Sequence, residues 1–550
     1  MSKTSNQEEI IRSEFGKHGL EDIDIDVKKF PGETIFVVYV DRLVRDDAIR
    51  VSGEISNLLE ENSFLVVKVR EFAKENKVAL ASIRASGVSS SAVIPLIQML
   101  SERSRTSKEQ PSLSYIPDST QQVAVVEGRR HHLVFGRRGV GKTALLLETK
   151  RKLELRGGKA IWLNIQPLRN LNAQQAFIRV CSEILDLIID TFKSRSKKPD
   201  LLSKVSTLSK RVRDLSSKKL ADRSSVTDII LSMRDVNEKF CRIIQNDVFL
   251  YLDDIHYMGR IELPFLLDHV HGITRDTSAW IKASGIKHEC RVFIDNPPTG
   301  LQIGHDATDV NLDITLENPE KARAFLSSVL QTYMDAAGVP SIGLLFSSGA
   351  VDRLVLASGG VPRDFMERSG KSLQIAKQRP NARTVGVQDV NEAAGQTAKQ
   401  KVGELEDDAA SESGSAKSRL DSLNTIRDYL LDQQHCTFFK VAFRDKENRP
   451  NQYRMLQSLM DLRMVHLLRS SLSEAHSAGQ RSEVYMLDLS QYSGQRLKKK
   501  IRVLDLNGKY LSVRLTGTTE KALVGRTPKQ LMQLLRSGPY LELSSLEVGS

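Results

Sequence analysis

The chain has 550 residues, 40% apolar and 27% charged, and carries a net charge of +12. That is a globular balance sufficient for three or four domains, and no apolar run approaches the ~20 residues of a membrane span. The opening stretch "MSKTSNQEEIIRSEFGKHG" has no apolar signal segment, and Cys181, Cys241, Cys290 and Cys436 lack pairing or metal spacing, so a reducing cytoplasm with free thiols is expected.

Residues 1–100 read as a small α/β domain. "DIDIDVKKF" and "ETIFVVYV" are strands around the turn "PGE", "DDAIRVSGEISNLLEE" has helical spacing, and "SFLVVKV" returns as a strand. It shows no chemistry and suits partner contact, a protein effector included, or oligomerisation. The polar stretch 101–120 reads as a linker. Over 121–317 strands and helices alternate: "HHLVF", the helix from Thr143 to Leu155, "GGKAIWLNI", "AQQAFIRVCSEILDLIIDTF", "DVFLYLDD" and "AWIKASG". Nearly all-apolar strands predict a parallel sheet with helices on both faces. Residues 193–219 form a basic, helix-prone insertion. Residues 285–317 fit no simple pattern, and His288 and His305 there lack ligand spacing and suit solvent better than metal. Residues 318–400 read as a purely helical lid, with Asn318 and Pro319 opening its first helix. The acidic, then Ser/Gly-rich stretch 401–418 reads as a second linker.

The remainder is basic. Residues 416–550 hold 22 Lys and Arg against 13 Asp and Glu, nine of the chain's twelve excess positive charges. This is the footprint of a phosphate-backbone binder, or else a solvated basic surface. Within 419–502 the order helix, helix, hairpin is that of a winged helix. Its second helix, in "NRPNQYRMLQSLMDLRMV", would present Asn451, Gln452 and Arg454 to base edges, with Arg449 just before them. The run "QRLKKKIR" offers Arg496, Lys498, Lys499 and Lys500 to phosphates. Protein contact is the alternative use of such a module. Residues 503–550 read as a small strand-helix extension.

Two motifs carry chemistry. Gly136, Arg137, Arg138, Gly139, Val140, Gly141, Lys142 and Thr143 fit G-x-x-x-x-G-K-[ST], and Ala144 follows them into the helix. A chance match turns up in roughly two of a hundred chains this long, and here the required strand precedes it and the required helix follows. Gly139 and Gly141 let main-chain amides face phosphate oxygens, the helix N-terminus adds positive potential, Lys142 reaches the β- and γ-phosphates, and Thr143 ligates Mg²⁺. The second motif, "VFLYLDD", is a buried strand ending in two carboxylates at the edge where α/β sheets bind ligands. Asp253 would hold Mg²⁺ and Asp254 would orient the attacking water. Together they predict a site for a Mg-nucleoside triphosphate.

The set "GRRGVGKT", "LYLDDIH", "WIKASG" and "ASGGVPRDF", with a helical lid and a winged-helix-like tail, resembles the AAA+ P-loop ATPases, in particular the origin-recognition or initiator clade, over about residues 115–500. The resemblance implies ATP as the nucleotide, in keeping with the absence of a guanine-specific Asn-Lys-x-Asp run. It implies hydrolysis, self-association, Ser284 as the sensor-1 residue, and Arg363 as the lid arginine that contacts the γ-phosphate. Arg363 also suits a plain helix-start ion pair with Asp364 or Glu367. Asp254 stands where most members carry glutamate, one methylene longer, which implies slow turnover. Neither Arg275 nor Arg291 is a clear match for the arginine finger given to a neighbouring subunit. The expectation is a nucleotide-switched DNA-binding ATPase; the competitors are a STAND-type signalling switch, a regulator of a transposition or phage-defence system, and a non-hydrolysing ATP-binding scaffold.

Overall fold

The computed structural model describes residues 3–20, 23–30, 33–40, 44–55, 58–59, 62–69, 74–102, 115–116, 122–193, 200–216, 223–397, 415–474, 479–493, 500–518 and 522–547. Helix α1 (Lys3–Lys17), which the sequence reading did not anticipate, precedes the expected hairpin of β1 (Asp24–Phe30) and β2 (Glu33–Val40). Helix α2 (Arg45–Ile55) then leads to β3 (Ser63–Val69), parallel to β2. Alternate residues of β2, Phe36, Val38 and Val40, bury against Ile11, Phe15, Ala48 and Val51, the period of two expected of a sheet with one covered face.

Helices α3 (Lys74–Ser86) and α4 (Ile94–Glu102) belong elsewhere. Val88, Val93, Leu96 and Leu100 share a core with the helical lid, and the Val88 N–H donates to the Arg383 carbonyl at 3.0 Å. The sequence reading grouped these residues with the N-terminal unit, whereas their apolar faces pack on the lid. Among the described residues no single helix is long and apolar enough to cross a membrane. The bent pair 80–89 and 91–102 reaches that length and composition only jointly.

The central layer begins with α5 (Gln122–Val126), β4 (His131–Phe135), α6 (Lys142–Leu155) and β5 (Lys159–Asn164). Three helices follow: α7 (Ala173–Lys193), α8 (Leu201–Ser216) and α9 (Arg223–Ile244). Then come β6 (Val248–Asp253), α10 (Glu262–Thr274) and β7 (Ala279–Gly285). Residues 285–317, which had no sequence account, fold into the hairpin of β8 (Phe293–Asp295) and β9 (Pro298–Gly300), then β10 (Ala307–Asn311), the sheet's fifth strand. The order is β10-β4-β7-β6-β5, all parallel. Leu133, Phe135, Leu250 and Leu252 face one apolar layer, while Val134, Phe249 and Tyr251 face the other. Apolar residues on both faces are why these strands read as unbroken runs. The order also sets β7 between β4 and β6, so Ser284 lies between the glycine loop and Asp253.

The lid comprises α11 (Pro319–Ala336), α12 (Ser348–Ser358), α13 (Pro362–Gln378) and α14 (387–397). Asn318 caps α11 by accepting from the Lys321 N–H at 3.0 Å. The C-terminal part runs α15 (Ser415–Asp428), β11 (Phe438–Ala442), α16 (Phe443–Asn448), α17 (Pro450–Asp461), β12 (Val465–Ser473) and β13 (Arg481–Leu487), with sheet order β11-β13-β12. The expected helix, helix, hairpin therefore contains an additional strand and an additional short helix. The final segment is a three-stranded sheet, β14 (Arg502–Asn507), β15 (Tyr510–Leu515) and β16 (Leu523–Val524), closed by α18 (Pro528–Arg536). One apolar core runs through α4, the lid, the C-terminal helices and this last sheet.

A buried ionic network joins lid to tail. Arg368 of α13 donates from both terminal nitrogens to Asp488, and His466 of β12 lies 2.7 Å from the same carboxylate. Arg463 bonds Asp364 at the start of α13. Arg368, His466 and Asp488 are at most 1% exposed. Removing one partner from such a set leaves an uncompensated buried charge, at a cost of about 3–5 kcal/mol. Asp488→Ala should therefore lower the thermal midpoint well beyond an exposed control such as Asp428→Ala; equal midpoints would contradict this account.

Candidate nucleotide site

The site gathers at the C-terminal edge of the sheet because parallel strands end there together. Val134 pairs with Ser284, and Asn164 pairs with Asp253, which sets the residues after β4, β6 and β7 side by side. Gly139 and Gly141 adopt φ of +86° and +104°, values that a side chain makes strained. A Cβ on Gly139 would also meet Arg363 and Val361 of the lid within 2.9 and 3.1 Å. Helix α6 starts at Lys142 straight after this turn, so its free amides face the loop's concavity.

The Lys142 ammonium is buried and donates to the carbonyls of Gly136 at 2.8 Å and Arg137 at 3.1 Å. Burial lowers its pKa, opposed by Asp254, Asp313 and Asp253. Thr143 Oγ1 donates to Asp253 Oδ2 at 2.9 Å. The Ser284 hydroxyl donates to Asp253 Oδ1 and accepts the Asp254 N–H at 3.2 Å. Asp253 is thus held from both sides by hydroxyls, and burial raises its pKa. Asp254 has left-handed φ and ψ of 59° and 44° at the turn that leaves β6. Burial and the neighbouring Asp253 raise its pKa to about 6, against the pull of Lys142, Arg138 and Arg363. Thr143 and Asp253 fit an oxygen-loving divalent cation, since hydroxyl and carboxylate oxygens are its preferred donors.

The loop's other residues have separate tasks. Val140 is buried and fills the space above Gly136. Ala144 is half-buried in the first turn of α6, and Arg138 is exposed. Arg137 departs from the expected phosphate role. Its guanidinium is buried and bonds Asp313, the Ile314 carbonyl and the Gly359 carbonyl, while its amide donates to Asp313. It ties the glycine loop to the lid. Arg363 sits at the start of α13, its amide donating to the Gly139 carbonyl at 3.3 Å, close enough to stabilise the charge of Asp254. Its alternative partner Asp364 is engaged by Arg463 and Arg368.

Sequence reasoning missed three neighbours. His256 is 4% exposed, lies 3.9 Å from Asp254, and has both ring nitrogens buried without a hydrogen-bond partner. Burial lowers its pKa to about 3, so it stays neutral. Asp313 and Asp461 also act on Lys142. No local pattern marks any of them; His256 alone adjoins a motif. Of the expected basic-tail contacts, Asn451, Arg454 and Lys500 are exposed and Gln452 is half-buried. Arg449 is engaged with Asp445, while Arg496, Lys498 and Lys499 lie outside the described residues.

No family model and no curated protein matches this chain. Among solved structures, the Aeropyrum pernix Orc1 protein, solved in complex with DNA, aligns at 15% identity over 68% of this chain and 90% of that one, with a TM-score of 0.33. A RuvB point mutant from Thermotoga maritima aligns at 11% identity over 50% and 65%, with a TM-score of 0.25. PCH-2 of C. elegans aligns at 11% identity over 72% and 96%, with a TM-score of 0.27. Similarity this low leaves the function to be read from the site's own geometry.

The crowded carboxylates make a prediction about stability. Asp254 is raised from 3.8 to about 6, so between those values the folded state keeps a proton that the unfolded state releases, and stability falls as pH rises through that window. Asp254→Asn removes this penalty and should stabilise the nucleotide-free protein above pH 6 by on the order of 1–3 kcal/mol. The gain should vanish near pH 4. Melting curves of both proteins across that range test it, and a gain independent of pH would contradict it.

Proposed function

We propose that this chain is an ATP-driven switch of the AAA+ type that binds DNA through its basic C-terminal module. One observation carries the reading: Lys142, Thr143, Asp253, Ser284 and Arg363 converge on one sheet edge beside a glycine turn. A loop suited to phosphate, a hydroxyl–carboxylate pair suited to a divalent cation and the further carboxylate of Asp254 thereby lie together.

The loop amides from Gly139 to Thr143 would bind phosphate oxygens, and Lys142 would neutralise the β- and γ-phosphates. Thr143 and Asp253 would hold Mg²⁺, which when bound draws charge from the oxygens of the transferring phosphoryl group. Ser284 donates to Asp253, which aims the carboxylate and favours its ionised form against the effect of burial. Asp254, ionised above its raised pKa, would orient and polarise water for attack. Its short side chain suits slow turnover, as for a switch. Arg363 and the Arg137 tie would let the lid sense what the loop holds. Self-association and the choice of adenine rest on the resemblance.

DNA contact is supported by the excess positive charge of residues 416–550 and by the exposure of Asn451, Arg454 and Lys500. The signalling alternative draws on a different observation. The same module docks against the lid and core through Arg463, Asp461 and His466, as a module that contacts protein would.

Lys142→Ala should abolish ATP binding by equilibrium titration, and Asp254→Asn should retain binding while phosphate release falls by at least about a hundredfold. Unaltered turnover in Asp254→Asn would remove that carboxylate from the mechanism. Duplex DNA binding of the full chain should weaken steeply with salt, and Lys500→Ala should reduce the slope of log K against log salt by about one. Absence of salt-sensitive DNA binding would favour the signalling reading.

A further inference from the structure

A second cluster lies where the C-terminal module meets the core, beyond the nucleotide pocket. His288 and Glu289 sit on the turn after β7, and Asp461 ends α17. One ligand-capable atom from each of the three lies within 4.8 Å of the other two. His288 Nε2 and Asp461 Oδ2 are 2.7 Å apart. Both atoms are nonetheless buried without a hydrogen bond, to each other or to anything else in the protein. Asp461 is 5% exposed. A buried imidazole nitrogen and a buried carboxylate oxygen in contact, but misaligned for bonding, are placed as two ligands of one shared cation would be.

We propose that His288, Glu289 and Asp461 form a site for a divalent transition metal that fastens the C-terminal module to the nucleotide-binding core. The donor set, one imidazole and two carboxylates, suits Zn²⁺ and its first-row neighbours rather than Mg²⁺ or Ca²⁺, which prefer oxygen alone. Donors on a tetrahedral ion with bonds of about 2.0–2.2 Å sit about 3.3–3.6 Å apart, so His288 and Asp461 at 2.7 Å would open slightly and the wider pairs, within 4.8 Å, would close. The surroundings support it. The His288 carbonyl accepts from Arg260 at 2.5 Å, and the Glu289 and Cys290 amides both bond the Ile286 carbonyl, so the turn is held. Burial and Asp461 raise the Glu289 pKa, against the pull of Arg138, His288 and Arg419. Two carboxylates crowd a partly buried space that a cation would relieve. Asp461 also acts on Lys142, so the metal would sit within electrostatic reach of the phosphate-binding loop while using none of its residues.

The test uses the untagged full chain, stripped with chelator, free of Mg²⁺ and nucleotide. Co²⁺ is the probe, because its visible absorption reports nitrogen–oxygen coordination without any activity. One equivalent should bind, Zn²⁺ should displace it, and the thermal midpoint should rise with added metal. His288→Gln and Glu289→Gln should each weaken Co²⁺ binding by at least about tenfold. Asp253→Asn, which removes the cation ligand of the nucleotide site, should bind Co²⁺ as the parent does, which separates this site from the nucleotide reading. Absence of Co²⁺ binding, or equal affinity in both glutamine variants that still melt cooperatively, would overturn the proposal.

Discussion

Asp253 is the residue on which the rest of the site turns. A carboxylate 3% exposed is costly unless its charge is met. Here Thr143 meets one oxygen and Ser284 the other. Those hydroxyls come from the helix after the glycine loop and from the strand inserted between β4 and β6, so satisfying one carboxylate brings three separate chain segments into register. The strand order is therefore part of the chemistry. Were β7 at the sheet's edge, Ser284 could not stand between the loop and Asp253.

The same economy recurs around the loop. Arg137, in a position where a cation would be expected to face phosphate, is spent on Asp313 and on carbonyls of the lid approach. Gly139 leaves room for Arg363 and Val361 where a Cβ would collide. Loop and lid are thus in van der Waals and hydrogen-bond contact. From α13 the path continues through buried charge: Arg368 to Asp488, and Asp364 to Arg463. Such pairs contribute little net stability but tolerate few alternative arrangements. Side-chain contacts therefore run unbroken from the glycine loop through α13 to the C-terminal module.

That module is not an appendage. Its core is continuous with the lid and with α4, and three of its residues, Asp461, Arg463 and His466, press on the core or lid. The face carrying Asn451 and Arg454 remains exposed. One end of α17 thus packs against the core that carries the glycine loop, and the other is exposed.

The sequence by itself determined the local chemistry. A glycine spacing, a following lysine and threonine, and an apolar run ending in two aspartates each encode their conformation within a few residues, so loop, strand and helix were legible. The parallel sheet was legible for the same reason, since strands covered on both faces must be apolar throughout. Tertiary structure alone decided the rest. Arg137 and Arg138 are identical neighbours in the chain, and only packing turns one inward to Asp313 and leaves the other exposed. Residues 285–317 gained a strand, β10, because β4 offered it an edge to pair with, which no periodicity in that segment announces. Val88, Val93, Leu96 and Leu100 joined the lid rather than the unit that precedes them, because apolar surface is buried wherever a complementary face exists. His288 and Asp461, far apart along the chain, meet only when the C-terminal module docks. Short-range patterns record backbone conformation; long-range contact depends on the simultaneous burial of many side chains, which no single stretch contains.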